Sequence, residues 1–226
     1  MSELWKQSAV DVVGLLRSGE ISPVEAVQAA IERIEAVDSK TNALPIRCFD
    51  RAIERAQTLD LTGHRQNPKS LCGLPIAVKD YNDVAGVRTT YGSPIFKDHI
   101  AERSDVTVAV LEHNGANPIA KSNVPEWAGG HTFNPVNGLT CNPWNLSRSA
   151  GGSSGGSAAA LASGQVWLAT GNDLGGSLRT PAAFNAVVGL RPSPGVVPRG
   201  HGYQAFDTLW VEGPMGRSVG DVALML

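Results

Sequence analysis

The chain has 226 residues, of which 42% are apolar and 18% charged, with a formal net charge of −2. A chain of that length can bury a core without disulfides or metals, and with no basic excess to neutralise phosphates nothing in the composition suggests a nucleic-acid partner. No apolar run approaches the roughly 20 residues that span a bilayer, and the polar, acidic opening is unlike a secretion signal. The expected setting is therefore the cytoplasm, with no membrane partner. Cys48, Cys72 and Cys141 are odd in number and form no C-x-x-C pair, so reduced thiols are expected and no metal site is indicated.

The first third reads as helices. Ser8 and Asp11 form an S-x-x-D start for a helix over residues 9–17, which Gly19 breaks. Ser22 then acts as N-cap, Pro23 as N1 and Glu25 as N3 of a second helix. Its apolar positions Val27, Ile31, Ile34 and Val37 recur at three- and four-residue spacing. A third helix is expected over residues 49–59. Residues 61–70, polar with Gly63 and Pro68, read as a connector.

From Leu71 the texture changes. Residues 74–78 form a short apolar run ending at Lys79-Asp80, a candidate buried strand. Residues 104–114 read as a helix capped by Ser104, and residues 118–120, 166–170 and 186–190 as strands. Alternating strands and helices argue for an α/β architecture. Residues 218–226 start like a capped helix, Ser218 being followed three residues later by Asp221. Two regions follow: an N-terminal helical region over 1–65 and a core over 66–226.

The most informative stretch is residues 147–181, with two glycine-flanked serine clusters, Gly151-Gly152-Ser153-Ser154-Gly155-Gly156 and Gly175-Gly176-Ser177. Four readings compete. A flexible linker fits the composition, but not the helix former SAAALA that follows at once. An anion-binding loop lacks the G-x-x-x-x-G-K-[ST] pattern. A nucleophile elbow needs a strand leading into the serine, where residues 142–147 are loop chemistry, and a histidine base, for which His201 is the only downstream candidate. The fourth reading joins both serines to Lys79, as a nucleophile, a proton carrier and a base for amide cleavage. Lys79 can serve as base only if burial depresses its pKa. Local sequence allows the alternative of a surface lysine paired with Asp80 or Asp83.

The ordered motifs resemble the amidase signature enzymes. The resemblance runs through Gly73-Leu74-Pro75-Ile76-Ala77-Val78-Lys79-Asp80, Lys121-Ser122-Asn123-Val124-Pro125-Glu126 and Asn142-Pro143-Trp144-Asn145-Leu146. It continues over residues 151–160, 171–181 and 189–192 to Gly213-Pro214-Met215-Gly216-Arg217, with Ser18-Gly19-Glu20-Ile21-Ser22 resembling the family's helical opening. The resemblance implies an amidase signature fold, a central mixed β-sheet covered by helices on both faces. That fold is expected to be incomplete here, because family members continue well beyond the equivalent of Leu226.

It also implies roles. Lys79 is the base, Ser153 follows a cis peptide bond and relays the proton, and Ser177 is the acyl-forming nucleophile. The backbone N–H groups of Leu174, Gly175, Gly176 and Ser177 form the oxyanion hole. Ser154, Asp173 and Arg179 support the site by hydrogen bonding, and neither cofactor nor metal takes part. The implied substrate is a small-molecule carboxamide, and self-association as a homodimer stays open. Ala150, Asn172 and Asn185 depart from the family's frequent Pro, Thr or Ser, and Cys, and Asn172 is expected to alter the loop behind the nucleophile. An alternative is the glutaminase-type A subunit of a tRNA-dependent amidotransferase. Against it stands the stretch Ala205-Phe206-Asp207-Thr208-Leu209-Trp210, where that subunit has small residues before Ser-Leu-Asp. A third reading is a fragment without turnover.

Overall fold

The computed structural model describes residues 3–199 and 207–226. His201, Ala205 and Phe206 lie outside them.

Helix α1 (Ala9–Ser18) opens on Ser8, whose Oγ accepts from the Asp11 N–H at 3.1 Å, and closes on Gly19 at φ +82°. That left-handed closure is one a Cβ disfavours. Helix α2 (Pro23–Thr41) carries the full capping box between Ser22 and Glu25 and buries Val27, Ala30, Ile31 and Ile34. The short strand β1 (Ile46–Arg47) and helix α3 (Phe49–Thr58) follow. Residues 61–70, expected to be a plain connector, fold in part into α4 (Leu61–Gln66). Asp60 supplies the missing cap, its carboxylate accepting from Thr62 N–H at 2.9 Å.

Strand β2 (Pro75–Lys79) is buried throughout. Helix α5 (Val106–His113) starts two residues later than expected, with Asp105 in the N-cap position. Ser104 is not its cap, because its hydroxyl accepts from Ala85 N–H and donates to Glu112. Strand β3 (Asn117–Ser122) is followed by two small hairpins, β4 (Phe133–Asn134) with β5 (Gly138–Leu139), and β6 (Cys141–Asn142) with β7 (Asn145–Ser149). The supposed loop before the first serine cluster is thus the second hairpin. Next come α6 (Gly155–Ala162), β8 (Leu168–Asp173) and α7 (Arg179–Asn185). The strand expected over 186–190 shrinks to β9 (Val188–Gly189), since Ala186 takes a left-handed φ of 55° to end α7. Strand β10 (Val211–Gly216), which the sequence reading did not single out, and helix α8 (Val219–Met225) complete the order.

Six strands form one mixed sheet in the order β1-β3-β2-β8-β10-β9. The centre, β3-β2-β8, is parallel; β1, β10 and β9 pair antiparallel. Side chains alternate across a sheet. Leu168 and its partner position Gly216 therefore share one face, where Gly216 lies against Asp221 and Val222 of α8. Gly171 and its partner Gly213 share the other, against Leu178 and, at Gly171, Ser154. Helices thus cover both faces, as expected. The arrangement also brings the C-terminal ends of β2 and β8 together with the N-terminus of α6.

Candidate active site

Lys79 is the last residue of β2, and its side chain is fully buried. The surface-lysine alternative fails: Asp80 is taken by Lys121, whose Nζ lies 3.0 Å from its carboxylate, with both side chains fully buried. The Lys79 main-chain N–H donates to Thr170 Oγ1 on β8 at 2.8 Å, which fixes the strand end. Its Nζ lies 2.7 Å from Ser153 Oγ, 2.8 Å from Ser154 Oγ and 2.6 Å from Asn172 Oδ1. Burial disfavours the ammonium form and pulls the Lys79 pKa down to about 7, against the opposing pull of Glu212 and Asp173.

The serine loop that meets Lys79 is tightly built. The Gly152–Ser153 peptide bond is cis. A Cβ on Gly152 would stand 2.2 Å from the Gly130 carbonyl, so only glycine fits there. Ser154 precedes α6 and its main-chain N–H donates to the Ser177 carbonyl at 3.3 Å, tying the two serine clusters together. Asn185 donates from Nδ2 to the Ala150 carbonyl at 2.8 Å. Two of the positions that depart from the family pattern therefore meet, and they pin the serine loop to α7.

The second cluster is organised by Asp173. Burial alone would push its carboxyl up. Hydrogen bonds from Arg179 and from the Gly176 and Leu178 N–H groups outweigh that and hold it down to about 2. Arg191 adds a second guanidinium at 3.2 Å. Asp173 and Arg179 thus tie the loop together by hydrogen bonds. The Gly176 N–H, assigned to the oxyanion hole, is spent on Asp173 at 2.7 Å. The N–H groups of Leu174, Gly175 and Ser177 donate to none of the described residues, and these three residues line a cavity of about 500 Å³.

Gly152, Asn172 and Ser177 also line that cavity, with Trp127 and Trp210 on its wall. Trp127, 54% exposed, stacks on Tyr91 with ring centroids 5.6 Å apart, and Trp210 leans on Tyr81. The structure brings Lys79, Ser153 and Ser154 into hydrogen-bond contact and places Ser177 on the adjoining cavity. The Ser177 hydroxyl makes no hydrogen bond to Ser153 among the described residues. Ser154, expected in a supporting role, touches Lys79 directly.

Several residues escaped the sequence reading. Asn172, read in the sequence only as a departure bearing on the loop behind the nucleophile, contacts Lys79 directly. Glu212 is buried on β10, its carboxylate accepting from Trp210 Nε1 at 3.0 Å and from Asn82 Nδ2 at 3.4 Å, and burial raises its pKa. A lone carboxylate inside the apolar run VEGPM was a usable signal for it. Trp127 and Trp210 carried no comparable signal, since only the fold puts them in the wall of the cavity that Ser177 lines.

An amine buried against serine hydroxyls, next to backbone N–H groups that donate to none of the described residues, is the set of groups that serine-and-lysine hydrolytic chemistry requires. The Amidase family model matches residues 25–226, and the chain belongs to that family. It is 41% identical to the A subunit of the glutamyl-tRNA(Gln) amidotransferase of Carboxydothermus hydrogenoformans, over 99% of this chain and 47% of that protein. It is 38% identical to the indoleacetamide hydrolase of Bradyrhizobium diazoefficiens, over 99% of this chain and 44% of that protein. Among solved structures, a bacterial aryl acylamidase of the amidase signature family superposes with a TM-score of 0.89 at 36% identity, covering 97% of this chain and 46% of the other. The 6-aminohexanoate cyclic dimer hydrolase gives the same TM-score at 34% identity, with 98% and 46% covered. The chain spans less than half the length of these relatives.

Proposed function

We propose that the protein is an amidase that cleaves a carboxamide C–N bond through an acyl-enzyme on Ser177. The observation that carries this reading is the buried Lys79 amine at 2.7 Å from Ser153, beside a cavity lined by Ser177. Near neutral pH half or more of such an amine is unprotonated and able to act as a base.

In this mechanism Lys79 takes the Ser153 proton, Ser153 takes the Ser177 proton, and Ser177 Oγ attacks the carbonyl carbon. The oxyanion sits on the N–H groups of Leu174, Gly175 and Ser177, held in place by the Asp173 clamp. Collapse breaks the C–N bond, and the proton returns through Ser153 to the leaving amine. Water then adds to the acyl ester and releases the carboxylic acid, regenerating Ser177. The substrate's acyl part lies against Trp127 and Trp210, which suits a flat, apolar group.

Reaction with an alkyl fluorophosphonate, read by intact mass and peptide mapping, tests the roles. The adduct is expected on Ser177 and is expected to vanish in Lys79→Ala. Equal labelling of Ser177→Ala would show the nucleophile assignment to be wrong.

A second reading, the glutaminase-type A subunit of a tRNA-dependent amidotransferase, is favoured by the 41% identity to such a protein. The sequence Asp207-Thr208-Leu209-Trp210, where that subunit has small residues before Ser-Leu-Asp, supports the stand-alone amidase instead. Co-purification of the protein with tRNA and a second subunit would reverse that preference.

A further inference from the structure

Lys79 Nζ has three hydrogen-bond neighbours, Ser153, Ser154 and Asn172, but a neutral amine carries only two N–H bonds and one lone pair. The neighbours differ in what they can accept and donate. Asn172 Oδ1, at 2.6 Å, is an acceptor only and must take one N–H. The Ser154 hydroxyl has its own acceptor, the Asn172 main-chain carbonyl at 3.5 Å, and so takes the second N–H from Lys79. The lone pair is left facing Ser153 Oγ at 2.7 Å. Were position 172 to offer no side-chain acceptor, the freed N–H could turn to Ser153 Oγ, and the lone pair would no longer be held on the hydroxyl that must lose its proton.

The amide orientation at Asn172 has a single determinant. Its Nδ2 is fully buried with no hydrogen-bond partner among the described residues, so the Oδ1 contact with Lys79 alone sets which way the group points. The side chain is 2% exposed and lies at the end of β8, beside the Asp173 clamp.

We propose that Asn172 is a positioning residue that takes one Lys79 N–H and so holds the lone pair on the Ser153 hydroxyl, which starts the proton relay. This rests on the reading of Lys79 as the base. It goes beyond that reading by assigning the direction of proton transfer to a residue outside the relay.

The charged and titratable groups acting on Lys79 are Glu212 on β10, Asp173 on β8 and Tyr81, whose ring centroid lies 5.3 Å from Nζ. They are unchanged in the variants that test the proposal. Asn172→Leu keeps the shape and removes the acceptor; Asn172→Asp keeps the acceptor and adds a charge. The wild-type chain and both variants, checked by thermal melts, are followed from pH 5 to 10 by ¹³Cε-lysine NMR and by the rate of fluorophosphonate attachment to Ser177.

In Asn172→Leu the Lys79 midpoint is expected to move down, because the ammonium loses an acceptor, while the high-pH labelling rate falls about tenfold or more. A lower midpoint joined to a lower plateau is not what simple loosening of the fold produces. In Asn172→Asp the midpoint is expected to move up and the plateau to stay within about threefold of wild type. A folded Asn172→Leu protein with the wild-type plateau overturns the proposal. If Asn172→Leu does not fold, Asn172→Asp decides, and an unmoved midpoint there overturns it. Labelling of Lys79→Ala at the wild-type rate overturns the base assignment instead, and an unlabelled wild type overturns both.

Discussion

The pH dependence of Ser177 reactivity is the sharpest consequence of burying Lys79. In the proposed mechanism only the unprotonated Lys79 amine accepts a proton, so the rate should follow the neutral fraction. With the pKa near 7, that fraction is about 0.09 at pH 6, 0.5 at pH 7 and 0.9 at pH 8. The fluorophosphonate labelling rate should therefore rise about tenfold from pH 6 to 8 and then level off. An exposed lysine would behave differently, the rate climbing about a hundredfold over the same window and on toward pH 10. The assay is the time course of adduct mass at constant ionic strength, corrected for reagent hydrolysis. Lys79→Met should give a lower rate without this limb. A rate still rising steeply at pH 9, or a limb retained in Lys79→Met, would refute the link between burial and reactivity. Stability supplies an independent check. A lysine whose folded pKa is depressed binds fewer protons folded than unfolded, so its destabilising effect is complete below pH 7 and fades as pH rises toward the unfolded value. The melting temperature of Lys79→Met relative to wild type should consequently decline from pH 6 to pH 9.

Other perturbations test the scaffold. Asp80→Ala strands the fully buried Lys121 ammonium and should cost about 3–5 kcal/mol in urea melts, whereas Asp80→Ala combined with Lys121→Met should recover much of it. Gly156→Ala puts a Cβ 2.3 Å from Asn123 N and 2.7 Å from the Ala43 carbonyl, both backbone atoms that cannot yield, so a loss of about 3 kcal/mol is expected. Asp173→Asn removes the carboxylate from Gly176, Leu178, Arg179 and Arg191. Hydrogen exchange at residues 174–178 should accelerate and Ser177 labelling should slow, with little change in far-ultraviolet dichroism. Acid should loosen the same loop in wild type progressively as pH falls from the ordinary carboxylate range to about 2, because a carboxylate with a depressed folded pKa contributes fully only above its unfolded pKa and has lost that contribution once pH passes the folded one.

Local chemistry made much of the framework readable. Ser8, Ser22 and Ser218 sit where side-chain oxygens meet orphan N–H groups, and the helices they begin are found there. The apolar runs around residues 74–78 and 166–170 became β2 and β8, though the latter runs on to Asp173. Where the reading slipped, the deciding group lay outside the segment. Asp60 caps α4, and Ser104 is diverted from α5 by Ala85 and Glu112. The antiparallel β10, with its glycine, proline and lone glutamate, has little intrinsic strand preference and depends on its ladder with β8.

The sequence by itself determined the family, through the order and spacing of Lys79, the Ser153 cluster and the Ser177 cluster. It could not determine the state of Lys79. Burial and hydrogen bonding come from β8, β10 and the serine loop before α6, up to 133 residues further along the chain (Glu212 against Lys79). The same holds for Asn172, whose neighbour in sequence is Asp173 but whose partner in space is the lysine of β2. Proton affinity and hydrogen-bond direction are properties of an environment, and that environment is assembled only when the sheet closes.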